Sequence, residues 1–321
     1  QLKWRRFKLA EALGDTDAFN QENPIEYDDA WVTKEFAVFP MSHLRALVPW
    51  LASPKFRGDV SVHARILKSL DGPLAVWEEP QEGAIYDIGA DVSMGVGADA
   101  SAAVVTIRPT NRQVAEWYGQ AEPGEWAEIL SHLGFYYNTA LINCEANAIG
   151  KWTNAELLKR YPNIYLERRL DRIDQRPTRW MGFLTTHQSK RMLVGRAKDR
   201  LYRWFVNESA HHPLIRSQRL WDELKTFVKK TGTESYGAAP NRDDDLAMAW
   251  LLALMAGYDE LAPTMMIPEA AGSAEQSDEE FAAAIMRSDP AIQIADTDTP
   301  MRRGRARPTS WYGALDGWPP P

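Results

Sequence analysis

Apolar and polar positions alternate in short blocks through the middle of the chain. AIYDIGAD (84–91) reads as a strand that ends in a carboxylate, Asp91. After the glycine-bearing turn SMGVGADAS come AAVVTIRP and RQVAEWYG, two further strands, which together predict an antiparallel three-strand meander. PGEWAEILSHLGFYYN then takes a helical period: Pro123 suits a first turn, and Trp126, Leu130, Leu133 and Tyr137 fall on one face. TALINCEAN is a short apolar strand, again ending in a carboxylate, Glu145. NAELLKRY reads as a helix and NIYLE as a strand. SKRMLVGRAKDRLYRWFV is a long amphipathic helix with Arg196, Arg200 and Arg203 on one face, and WDELKTFVKK is expected to be helical. LAMAWLLALMA is apolar on every side and so predicts a buried helix, ending near Gly257. Three strands, helix, strand, helix, strand and then helices describe an α/β mixed sheet flanked by helices.

The flanks differ from this middle. Residues 1–80 read as a lead-in with a helix, SHLRALVPWL, and two short strands around Asp71-Gly72-Pro73. Residues 81–258 carry the predicted sheet domain. Residues 259–321 are rich in Pro, Ser, Ala and acidic side chains and end in Trp and Pro, so a mobile C-terminal tail is expected there.

Charge changes the picture. The net charge of −7 hides a basic block: residues 151–206 hold 14 Lys+Arg against 5 Asp+Glu, whereas 257–300 hold 10 acidic residues against one Arg. Such a block attracts a polyanion even in an acidic chain. Cys144 is the only cysteine, which excludes an intramolecular disulfide. No apolar run reaches the roughly 18 residues of a membrane span, and neither a transmembrane helix nor a signal peptide is expected.

The stretch NRDDDLAMAW (241–250) sets three aspartates, Asp243, Asp244 and Asp245, before the buried helix. Helix N-termini welcome carboxylates, so capping is one reading. Three carboxylates at the mouth of a buried helix are costly without a cation, so metal binding is the other. Asp91 and Glu145 stand at the ends of the first and fourth strands; if those strands are neighbours, their side chains meet. With Asp244 or Asp245 beside them, they form an oxygen-ligand cluster suited to hard divalent cations, Mg²⁺ or Mn²⁺. Asp99, folded back by the glycine turn, is an additional candidate. Each residue has an ordinary reading too: aspartate suits turns, and a glutamate after a strand is usually solvated.

YDIGADVSMGVGADASAAVV, LINCEANAIG and RDDDLAMA together resemble the nuclease domain of the large terminase subunit of tailed bacteriophages, and FNQENPIEYDDAWV is similar to the segment that joins that family's ATPase motor to its nuclease. The resemblance covers about residues 15–258 and implies an RNase H-like fold: an antiparallel meander plus parallel strands, flanked by helices. It implies Asp91, Glu145 and Asp244 as catalytic and metal-binding residues, with Asp245 second and Asp243 standing where the family often has histidine. It further implies two Mg²⁺ or Mn²⁺ ions and endonucleolytic hydrolysis of double-stranded DNA during viral genome packaging; no base-reading motif appears, so little sequence specificity is expected. The implied partners are the small terminase subunit, the portal protein and the ATPase motor, in the host cell cytoplasm.

Candidate phosphate contacts in the basic block are Lys151, Arg168, Arg169, Arg172, Arg176, Arg179, Lys190, Arg196 and Arg200; a solvated helix face is the alternative for each. A DNA- or portal-docking module with gated or minor cleavage remains a second reading, and a junction resolvase a third. No G-x-x-x-x-G-K-[ST] occurs, so the chain is expected to follow a motor it does not contain. It should therefore hydrolyse no ATP; phosphate release above background from the purified chain would overturn this.

Overall fold

The computed structural model describes residues 37–60, 66–93, 100–170, 177–208, 212–230 and 235–258. The expected lead-in up to residue 36, Asp99, Arg172, Arg176 and the expected tail lie outside the described residues. In chain order the elements are α1 (Met41–Leu47), a 3-10 turn (Val48–Trp50), β1 (Phe56–Val60), β2 (Ile66–Lys68), β3 (Leu74–Val76), β4 (Tyr86–Asp91), β5 (Ser101–Ile107) and β6 (Arg112–Gly119). Then come α2 (Pro123–Tyr136), β7 (Leu141–Cys144), α3 (Ala148–Leu158), β8 (Leu166–Leu170), β9 (Pro177–Met181), α4 (His187–Arg203), α5 (Gln218–Lys225), β10 (Phe227–Lys229), β11 (Tyr236–Ala238) and α6 (Asp245–Tyr258). Among the described residues, no helix is long and apolar enough to cross a membrane.

Seven strands form one sheet in the order β2-β1-β3-β6-β5-β4-β7. β4, β5 and β6 are the antiparallel meander, and β7 runs parallel to β4. Ile164 extends the parallel edge by a bridge to Ile142. This is the RNase H-like arrangement, with the first and fourth strands of the motif side by side.

The two short strands expected around Asp71-Gly72-Pro73 are β2 and β3, with β1 between them in the sheet. Three expectations need correction. The boundary near residue 80 is not structural, because β3 pairs with β6 and β1–β3 lengthen the same sheet. WDELKTFVKK is helical only to Lys225; its second half is β10, paired with β11. The strand read in NIYLE divides into the Ile164 bridge and the start of β8, which forms a separate ribbon with β9.

Strand alternation sorts side chains into two layers. Ala102 and Val104 of β5 pack with α1, α4, α5 and α6, while Ala103, Val105 and Ile107 pack with α2 on the opposite face. The predicted stripe of α2 (Trp126, Leu130, Leu133) and the adjoining Tyr137 are fully buried. Along β4, Tyr86, Ile88 and Ala90 face α2. Asp87, Gly89 and Asp91 therefore face α6, and in β7 Asn143 does the same, donating from Nδ2 to the Leu252 carbonyl at 2.9 Å.

The seat of α6 on β4 is a backbone contact. A Cβ built on Gly89 would stand 2.0 Å from the Ala249 carbonyl oxygen and 2.1 Å from the Ala253 nitrogen. Only glycine leaves room for the helix to lie this low. Asp87 holds the far end: its buried carboxylate takes Arg108 Nε at 2.7 Å and Nη2 at 2.5 Å, and the same Nη2 donates to the Ala256 carbonyl at 3.2 Å. Burial pushes the Asp87 carboxyl up and Arg108 pulls it back only in part, while Asp87 raises the guanidinium. The two hydrogen bonds from Arg108 offset part of the cost of burying this carboxyl.

Gly89→Ala must lift α6 from the sheet. It is expected to lower stability by about 3 kcal/mol, the upper part of the range for an overpacked core. Urea unfolding of the variant against wild type measures the effect.

Candidate active site

β4 and β7 end together. Ala90 pairs with Cys144, and the Glu145 N–H donates to the Ala90 carbonyl at 2.9 Å. The same alternation that turns Asp87 and Gly89 toward α6 carries Asp91 there at one end of the strand and Glu145 at the end of its neighbour. The turn behind Glu145 is tightly held. Asn147 Nδ2 donates to Glu145 Oε1 at 2.8 Å, and buried Asn154 Nδ2 donates to the Glu145 carbonyl at 3.2 Å and the Gly150 carbonyl at 2.8 Å. Gly182, at φ 70°, closes the other side, where a Cβ would meet the Cys144 carbonyl at 2.2 Å.

α6 delivers the aspartates. Its first helical bond runs from the Met248 N–H to the Asp244 carbonyl at 2.8 Å, so Asp244 is the N-cap residue and Asp243 lies outside, exposed. Asp244 and Asp245 are half-buried. The N–H of Ala247, one of the donors left open at a helix start, is taken by Glu223 Oε2 of α5 at 2.9 Å. A carboxylate from another helix thus performs capping that the aspartates were candidates for. Asp245 Oδ2 accepts from the Tyr118 hydroxyl at 3.3 Å, and Asp244 Oδ2 lies 3.7 Å from Lys190 Nζ. The Lys190 ammonium also sits 5.6 Å above the Phe227 ring.

The electrostatics follow from this crowding. Burial pushes the Asp91 carboxyl well up, and repulsion from Glu145, hydrogen bonding with Glu145 and the charges of Asp245 and Asp244 push it the same way. Asp91 keeps partial surface exposure, so its carboxyl is crowded by protein without being wholly removed from water. Asp245 weighs more on Asp91 than Asp244 does, although the sequence favours Asp244 as the principal ligand. Tyr118 is raised to about 12, by burial first and the Asp245 charge second. Burial raises Cys144 as well, assisted by Glu145 and Asp91.

The structure therefore brings together Asp91, Glu145, Asp244 and Asp245. Among the described residues no three carboxylate, histidine or cysteine side chains are drawn into a ready-made metal group. The donor chemistry nevertheless fits a hard divalent cation: the converging groups are carboxylates, and their mutual repulsion is what such a cation relieves.

The basic candidates divide. Lys151 and Arg179 are exposed, beside the exposed Trp152 and Trp180. Lys190 stands at the acidic cluster itself. Arg196 turns its guanidinium to Met255 Sδ and Arg200 to the Thr110 carbonyl, so both lie against α6 and the β5–β6 turn. The side chains of Arg168 and Arg169 lie outside the described residues. Glu223, Tyr118 and the Arg219 guanidinium, 3.7 Å over the Tyr118 ring, were not anticipated. Glu223 lies on the apolar-facing side of α5 with Leu220 and Leu224, and a charged residue on a buried stripe is the signal that marked it.

No family model and no curated protein sequence matches the chain. Among solved structures, the chain is similar to the large terminase nuclease from thermophilic phage G20c with bound magnesium (TM-score 0.47, 18% identity, 68% of this chain and 97% of that one). The same nuclease with bound cobalt superposes with TM-score 0.46 at 18% identity, covering 68% and 97%. The Thermus phage P74-26 large terminase nuclease domain gives 0.44 at 17% identity, covering 66% and 93%. The fold is read from the strand order of this chain.

Burial raises Glu223 to about 8, with Asp245 and Asp244 adding to the shift against the Ala247 hydrogen bond. Its folded-state value lies above the ordinary 4.5, so the stability contributed by its neutral form is full below pH 4.5 and is lost as pH rises through 8. Glu223→Gln, which mimics the neutral acid, should match wild type near pH 4 and exceed it at pH 9 by on the order of a few kcal/mol. Thermal unfolding across that range, in EDTA, reads the difference.

Proposed function

We propose that this protein is a metal-dependent endonuclease that hydrolyses phosphodiester bonds of double-stranded DNA. The observation that carries the reading is the convergence of Asp91, Glu145, Asp244 and Asp245 on the face between β4, β7 and α6, where four carboxylates from three distant stretches of chain repel one another. Purely structural carboxylates are seldom gathered in this way without counter-charges. The setting, viral genome packaging in the host cytoplasm with a small subunit, a portal and a motor as partners, follows from the motif resemblance.

In this reading Asp91 stands centrally, with Glu145 on one side and Asp244 and Asp245 on the other, and these are the residues that would hold Mg²⁺ or Mn²⁺. When bound, two such ions supply Lewis acidity that activates water and stabilises the leaving 3′-oxygen. Tyr118 fixes one oxygen of Asp245 through its hydroxyl. Asn147 does the same for Oε1 of Glu145, and Asn154 fixes the backbone behind it. Lys190 neutralises part of the cluster and presents a cation to an incoming phosphate. Lys151 and Arg179, each next to an exposed tryptophan, suit contact with the sugar–phosphate backbone at the rim. Binding of this kind weakens steeply with salt and reads little sequence.

The test is plasmid cleavage with Mg²⁺, Mn²⁺ or EDTA. Wild type should nick and linearise the plasmid only with metal, and Asp91→Ala should lower the rate by at least about a hundredfold, the loss of a principal metal ligand. Cleavage that survives in Asp91→Ala sinks the assignment. Inert, folded wild-type protein that still binds duplex DNA points to a docking module, and strong preference for four-way junctions over linear duplex points to a resolvase.

A further inference from the structure

We infer that Glu223 is a positioning residue of the acidic site, acting through the first turn of α6 to set Asp244 and Asp245 against Asp91. This rests on the nuclease reading of that site.

The connection is continuous and can be followed bond by bond. It begins in β6, where buried Gln113 Oε1 accepts the N–H groups of Arg216 at 2.9 Å and Ser217 at 3.0 Å. Glu116, also buried, accepts from Ser217 Oγ at 2.9 Å and from Gln113 Nε2 at 2.9 Å. Ser217 is the N-cap of α5, and its Oγ accepts the Leu220 N–H at 3.1 Å. The start of α5 is therefore tied to the sheet by side chains of β6. One and a half turns on, Glu223 leaves the buried face of α5 and takes the Ala247 N–H of α6 at 2.9 Å. Ala247 is three residues after the N-cap Asp244, the position whose N–H a capping side chain ordinarily satisfies.

The capping reading of Asp243–Asp245 makes this arrangement informative. A helix that began with Asp244 serving as its own side-chain cap would turn that carboxylate inward onto the N–H of Ala247. With Glu223 on that N–H, the Asp244 carboxylate faces Lys190 and its charge reaches Asp91. Asp245 is held separately, by Tyr118 from the same β6 strand, with Arg219 of α5 lying on the Tyr118 ring. Thus α5 and β6 fix the first turn of α6 at two points, and the aspartates are left facing the ends of β4 and β7.

The geometry depends on side-chain reach more than on charge. Glu223→Gln keeps both length and an accepting oxygen; Glu223→Asp keeps the charge and loses one methylene of reach. The experiment measures Mn²⁺ binding to the full chain from the free-ion electron paramagnetic resonance signal, well below the unfolding temperature, beside metal-dependent plasmid cleavage. Glu223→Gln should bind as wild type does. Glu223→Asp should need roughly ten- to a hundredfold more Mn²⁺ for half-saturation, as loss of support behind metal ligands generally requires. Glu223→Ala should behave as the Asp variant; if it does not fold, the Gln and Asp pair still decides. Equal binding by all three overturns the inference, and so does the reverse order, Gln weak and Asp normal, which would make Glu223 a charge in the site and not a prop. Wild type that binds no Mn²⁺ in an Asp91-dependent way removes the nuclease reading itself, a result distinct from any difference among the Glu223 variants.

Discussion

The structure depends on how low α6 lies on β4. Two backbones approach at Gly89 with no side chain between them, and the rest of the site follows from that depth. Four residues of strand rise about 13 Å, and eleven residues of helix about 17 Å. A single helix laid antiparallel along β4 therefore reaches from Asp87, where Arg108 meets its C-terminal carbonyl at Ala256, to Asp91, where its N-terminus brings Asp244 and Asp245. The two acids of Tyr-Asp-Ile-Gly-Ala-Asp share a face and do opposite work. Asp87 is paired with an arginine and anchors the helix; Asp91 is surrounded by its own kind.

That division explains the burial of so many carboxylates on one side of the sheet. Asp87 and Glu116 are each answered by protein groups, Arg108 for the first and Ser217 with Gln113 for the second. Glu223 is answered by a backbone N–H. Asp91 differs: the Val92 N–H donates to its Oδ1 at 3.0 Å, but its charged neighbours are Glu145, Asp245 and Asp244, all of which raise it. An acid crowded mainly by other acids stores electrostatic free energy which a cation can release.

Much of this was legible in the chain because it is written in period two. The meander, the parallel fourth strand and the buried last helix follow from local patterns, and the strand ends at Asp91 and Glu145 follow with them. Alternation along YDIGAD even carries the face assignment, since Tyr86, Ile88 and Ala90 are apolar and the residues between them are not. What was not legible is of two kinds. β1 (FRGDV) is short, carries Gly58 and charged residues, and is a strand because β2 and β3 pair with it on both sides. β10 continues without a break from a helical pattern, and only its pairing with β11 makes it extended. The cap of α6 was hidden for another reason. Three aspartates stand where a cap belongs, and the true partner is a glutamate from a different helix, a relation that no local window contains.

The acidic site also has a place in time. Asp91 and Glu145 leave the ribosome long before Asp244, because β4 and α6 are the first and last strokes of the motif, separated by more than 150 residues of chain. Domains condense as synthesis proceeds, and contacts of such wide separation form last. A chain that ends before α6 has no helix to place over Gly89 and lacks Asp244 and Asp245. The four carboxylates are thereby brought together only once translation has passed the last helix, so the order of synthesis decides when the cluster comes into being.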